Sequence, residues 1–90
     1  LGVENENFEI NIYPNPANDL IKVKSSYNPQ NPLKFMLIDK LGRPLLIRES
    51  FNQNKIDEVI ELNQINSGLF ILLVYDGNHL LSSKKVIINR

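Results

Sequence analysis

His79 is the only histidine in the 90 residues, and cysteine is absent. No histidine pair can hold a metal and no Cys–His nucleophile can form. His79 follows a turn and has no partner in the sequence, so it reads as an exposed loop residue rather than a general base. Asp57, Glu58 and Glu61 could be offered as a calcium cluster or an acid pair. On a strand, Asp57 and Glu58 point to opposite faces and cannot easily share one ion, so the expected role is a solvated face. Ser25-Ser26 and Ser82-Ser83 lack a general base and fit no nucleophile elbow. Gly42, Gly68 and Gly77 stand alone at turns and form no phosphate-cradling loop. A sugar platform calls for tryptophan or clustered tyrosine, whereas Trp is absent and Tyr13, Tyr27 and Tyr75 are scattered. The expectation is therefore a chain with no catalytic residue, cofactor, metal or small-molecule substrate.

Composition narrows the class further. Ten basic and ten acidic side chains cancel, leaving no bulk field for nucleic acid or an anionic membrane. No apolar run approaches the roughly 20 residues of a membrane-spanning helix, and no signal-peptide pattern opens the chain. Residue 1 is Leu rather than Met, which predicts a piece of something longer. Ninety residues suit one domain with a modest core, burying somewhat under about 70% of the unfolded surface. Ile, Leu and Val dominate the aliphatic content, Ala17 is the sole alanine, and thirteen asparagines supply turns. That balance favours strands over helices.

The elements are organised around Tyr13-Pro14-Asn15-Pro16-Ala17-Asn18-Asp19. Each proline locks φ near about −65° and pushes the preceding residue toward extended geometry, so the heptad cannot be helical. Asn18 and Asp19 can then turn the chain through side-chain bonds to nearby amides. A rigid corner between two strands is the reading; a recognition epitope is the alternative. Before the corner, Phe8, Ile10 and Ile12 alternate with Glu9 and Asn11 as a half-buried strand. After it, Ile21 and Val23 alternate with Lys22 and Lys24. Ser25 to Pro32 is a proline-rich loop.

Leu33, Phe35, Leu37 and Asp39 alternate with a second, largely apolar set, predicting a central strand covered on both faces. Gly42 supplies positive φ in the Lys40-Leu41-Gly42-Arg43 hairpin turn. Pro44 marks the return strand as an edge strand or its own first residue. Asn52-Gln53-Asn54 is a polar loop, Glu58 to Leu62 a short strand, and Ile65 a plug beneath the next loop. Leu69 to Tyr75, the most apolar run, is predicted to be innermost. Asp76-Gly77-Asn78 is the strongest hairpin signal. The last strand is expected to run from His79 to Arg90, with Lys84, Lys85 and Arg90 as a small basic tail. There, Lys84 and Arg90 would share a solvated face.

Seven short strands at spacings of roughly 8–12 residues predict an all-β, antiparallel, immunoglobulin-like β-sandwich. Residues 1–7 read as a linker from an upstream domain, and residues 8–90 as the folded unit.

Four stretches resemble the C-terminal sorting domain, type A, of the type IX secretion system of Bacteroidetes. They are the heptad with Ile21 and Val23; Asp39 to Leu45; Ile60, Leu62, Ile65 and Gly68 to Leu72; and Lys84 to Ile88. Phe70 stands where the family commonly has tyrosine. The resemblance implies a non-catalytic module that sends a fused upstream cargo from the periplasm through an outer-membrane translocon to the cell surface or medium. It also implies removal by a sortase-like peptidase, with cleavage in or before Leu1 to Phe8. Recognition would centre on Lys84, Lys85, Val86, Ile87 and Ile88, with Gly68 shaping the neighbouring strand, and Pro14, Asn15, Pro16, Asn18, Asp19 and Gly42 as structural positions. A monomer is expected. The competing reading is an immunoglobulin-like adhesion or carbohydrate-binding accessory domain, using Tyr27 or Tyr75.

Overall fold

The computed structural model describes residues 9–51 and 54–90. The expected linker, Phe8, Asn52 and Gln53 lie outside the described residues. Seven strands form, with no helix among the described residues: β1 (Ile10–Tyr13), β2 (Leu20–Ser25), β3 (Leu33–Ile38), β4 (Pro44–Ser50), β5 (Ile56–Glu61), β6 (Gly68–Asp76) and β7 (His79–Ile88). They make two antiparallel sheets, β1-β2-β5 and β4-β3-β6-β7. The chain crosses between sheets after β2, β4 and β5, as in immunoglobulin-like sandwiches.

Period-two patterning builds the interior. Ile21 and Val23 from β2 and Ile56 and Ile60 from β5 line one inner face. Leu33, Phe35 and Leu37 from β3, Phe70, Leu72 and Val74 from β6, and Val86 and Ile88 from β7 line the other. Leu62 and Ile65 close the core beneath the loop before β6, where Ile65 N donates to Leu62 O at 3.0 Å. At about 25 cal/mol per Å², burial of these aliphatic side chains is the main driving force for assembly.

Three sequence expectations change. β3 is central, but only its inner row is buried; Lys34, Met36 and Ile38 on the outer row are half-exposed, because no second layer covers that face. β5 begins at Ile56 rather than Glu58, and Leu62 falls just beyond it. Asp39 leaves the strand and organises the turn. Its Oδ1 accepts from the amides of Leu41 and Arg43, both at 2.9 Å, and its Oδ2 accepts from Arg43 Nε at 2.7 Å. Gly42 N donates to Asp39 O at 3.0 Å, and Gly42 takes φ 82°, the left-handed region that glycine enters freely. Led by the Arg43 amide, these donors hold the Asp39 carboxyl below its ordinary pKa. Pro44 opens β4, which is an edge strand, in agreement with both expectations for it.

Asp76 does more than mark a hairpin. It ends β6 on the inward parity of Phe70, Leu72 and Val74, and it is only 4% exposed. A buried carboxylate needs donors, and the proline-rich loop supplies them. Tyr27 OH donates to Oδ2 at 2.6 Å, Gln30 N to Oδ2 at 3.1 Å, and Asn31 N to Oδ1 at 2.8 Å. The loop after β2 is thereby tied to the β6–β7 hairpin. Burial alone would raise the Asp76 pKa, but these donors outweigh it and hold the carboxyl below the ordinary value.

Asp76→Ala strands three donors and is expected to lower stability by about 3 kcal/mol, against about 1 kcal/mol for Tyr27→Phe, both read from urea unfolding. Because the folded pKa is depressed, the stabilisation is full above the unfolded carboxylate pKa of about 3.9 and is lost as pH falls through the lower folded value. Unfolding measured from neutral pH down through that window should steepen for the native chain and flatten for Asp76→Asn.

Candidate functional site

β7 pairs with β6 along its whole length, with Gly68 opposite Ile88 and Phe70 opposite Val86. Alternation sends Val86 and Ile88 into the core, at 0% and 1% exposure, and turns Lys85 and Ile87 outward. Lys84 has the inward parity but sits at the open side of the sandwich. There, with Glu9, Ile10, Asn11, Leu81 and Ser82, it lines a groove of about 380 Å³ between the edges of β1 and β7. Of the five side chains expected at a recognition strand, Lys84, Lys85 and Ile87 are within reach of a partner. Val86 and Ile88 hold the strand in place.

Gly68 starts β6 at φ 158°, and a Cβ there would lie 3.2 Å from Phe70 Cζ. The bare backbone lets the Phe70 ring close over the end of the core beside Ile88.

The heptad forms the expected corner between β1 and β2, with cis peptide bonds at Tyr13–Pro14 and Asn15–Pro16. It also reaches the far end of the chain. Asn15 Nδ2 donates to Lys85 O at 2.9 Å, and Ile87 N donates to Asn15 Oδ1 at 3.0 Å. Ala17 N donates to Ile87 O at 2.7 Å, Asn89 N donates to Ala17 O at 2.8 Å, and Ala17 bridges Ile88 in parallel. Ala17 is 1% exposed, while Pro14, Asn15, Pro16 and Asn18 stay at the surface. Asp19 continues the anchoring by accepting from Leu62 N through its carbonyl at 2.8 Å.

Arg90 corrects the expectation of a solvated basic tail. It lies beyond β7, shares no strand face with Lys84, and its side chain is 29% exposed. Its guanidinium donates to Ile65 O at 2.8 Å and to Leu62 O, and its amide donates to Ser67 Oγ at 3.0 Å. Nη1 is 3.7 Å from Asp19 Oδ1. These carbonyls belong to the tight loop after β5, whose acceptors no strand can satisfy.

The remaining candidates are structural. Glu58 accepts from Ser50 Oγ at 2.6 Å, tying β5 to β4, while Asp57 is exposed with Lys24 Nζ at 3.9 Å. Tyr27 is partly buried against the core with its hydroxyl on Asp76. Tyr75 is half-buried beneath Lys34 Nζ, which is 5.3 Å from the ring centroid. Among the described residues, no three His, Cys, Asp or Glu side chains gather where they could hold a metal ion. Sequence reasoning missed Asp76, Arg90 and the reach of Asn15. Only Asp76 left a trace, as an acid on the inward parity of an apolar strand.

The register of β7 predicts opposite outcomes at neighbouring positions. Ile88→Ala is expected to cost about 2–5 kcal/mol and Ile87→Ala under about 1 kcal/mol, measured by urea unfolding of the two variants side by side.

The family model for the secretion system C-terminal sorting domain matches residues 11–89, from within β1 to just past β7. No curated protein and no solved structure matches the chain. With nearly the whole sandwich inside the matched span, the chain belongs to the family of secretion system C-terminal sorting domains, the sorting domains of type IX secretion.

Proposed function

We propose that this domain directs an upstream cargo through the outer-membrane translocon of the type IX system to the cell surface or medium, after transit through the periplasm. The observation that carries this reading is the family match over residues 11–89, which runs through every strand of the sandwich. The domain acts by being recognised, without a catalytic step of its own. β7 is the recognition strand: Val86 and Ile88 seat it, Gly68 lets β6 and the Phe70 ring pack beside it, and Lys84, Lys85 and Ile87 present its readable side chains. Lysine and isoleucine side by side suit a partner surface that is apolar with acidic flanks. A sortase-like peptidase then removes the domain on the N-terminal side of β1.

A periplasmic reporter fused ahead of residues 1–90, in a bacterium that has the type IX machinery, is expected to reach the surface or medium. Retention of a folded fusion in the periplasm would overturn the reading. The triple variant Lys84→Ser, Lys85→Ser, Ile87→Ser should melt like the parent yet leave the reporter periplasmic. Undiminished export of that variant would remove β7 side chains from the recognition.

A further inference from the structure

We propose that the outer edge of β7 is a docking line for an extended strand of another polypeptide, running parallel to β7, and that Asn15 to Ala17 is a displaceable cap built over it. The inference goes beyond the sorting assignment, since it rests on how the outer edge of β7 is hydrogen-bonded. β7 is the last strand of its sheet, so one row of its amides and carbonyls faces away from β6. Such a row is a template for another strand unless something covers it.

What covers it is short. Lys85 O, both backbone groups of Ile87 and Asn89 N are satisfied, two of them by the side-chain amide of Asn15 and two by the backbone of Ala17. The Asn15 amide thus imitates a neighbouring strand, and the Ala17–Ile88 bridge is isolated rather than part of a ladder. Its parallel sense shows the orientation in which this edge accepts a chain. The edge continues past the cap. By the alternation of an antiparallel ladder, the amides of Ser83 and Lys85 face the same outward direction, and no described residue pairs with them there. The groove of about 380 Å³ between β1 and β7 lies beside this stretch.

An incoming strand would therefore make the bonds that the cap makes and add those at Ser83 and Lys85. That difference gives it the means to displace the cap. The seat of Ala17 also sets a requirement on the occupant. With Ala17 at 1% exposure, the position facing Ile88 takes a small side chain, and a bulky one would be excluded by the core.

Amide exchange by NMR tests the cap, and a free peptide with the sequence of residues 13–19 tests the docking line. In the native chain the Ile87 and Asn89 amides are expected to exchange by local opening, faster than the core amides of Leu72 and Val86. In Asn15→Ala they should exchange about tenfold faster still, the factor for one or two lost hydrogen bonds, with the melt of the domain little changed. The free peptide should then shift the Ile87, Asn89 and Ser83 amides of Asn15→Ala saturably. The same peptide carrying Ala17→Leu should not. Exchange of Ile87 and Asn89 only at the global unfolding rate would overturn the displaceable cap. Absence of peptide shifts, or shifts away from β7, would overturn the docking line. Self-association of Asn15→Ala through β7 would make a second copy the occupant and overturn the assignment of a parallel strand from another polypeptide.

Discussion

A terminal strand that carries two core side chains cannot leave its outer row of backbone groups open without inviting other strands to pair there. β7 is such a strand, with Val86 and Ile88 wholly inside the sandwich and nothing beyond it in its sheet. Its last turn of pairing is closed by the proline corner that joins the first two strands of the opposite sheet. The two ends of the described chain are therefore mutually dependent. The corner needs β7 to seat Ala17, and β7 needs the corner to satisfy Lys85, Ile87 and Asn89. Arg90 extends the same arrangement to the loop after β5, so three segments distant in sequence meet at one end of the sandwich.

The opposite end depends on a different device. Asp76 gathers Tyr27, Gln30 and Asn31 around one buried carboxylate and joins the loop between the sheets to the final hairpin. Asp39 does a similar job in the open, where its carboxylate accepts the amides of a turn that Gly42 makes possible. Both carboxyls are held below their ordinary pKa by hydrogen bonding, and both tie turn and loop backbone together. Each carboxylate accepts three hydrogen bonds from turn and loop donors. On β7, Lys84, Lys85 and Ile87 are exposed while Val86 and Ile88 are core.

Most of the architecture was legible in advance because it depends on local rules. Strand existence followed from alternation, as in Ile21 and Val23 against Lys22 and Lys24, and the turns followed from Gly42, Gly77 and the prolines. Where the reading slipped, a neighbouring layer was at issue. The second apolar row of β3 looked like a second buried face, yet Met36 and Ile38 have no layer above them. Alternation assigned Asp39 to a strand, although its bonds to Leu41 and Arg43 are worth more in a turn.

The amino-acid order by itself determined seven strands, the face each presents inward and the corners between them, because period-two patterning and restricted φ act over a few residues. Family membership was equally readable, since it rests on four short stretches in fixed order. Only the tertiary structure decided that Asn15 would bond across 70 positions to Lys85, that Tyr27 would reach Asp76 across 49, and that Arg90 would anchor rather than trail. Those partners are brought together by sheet topology, and no local pattern encodes which loop a side chain at the rim of a sandwich will meet.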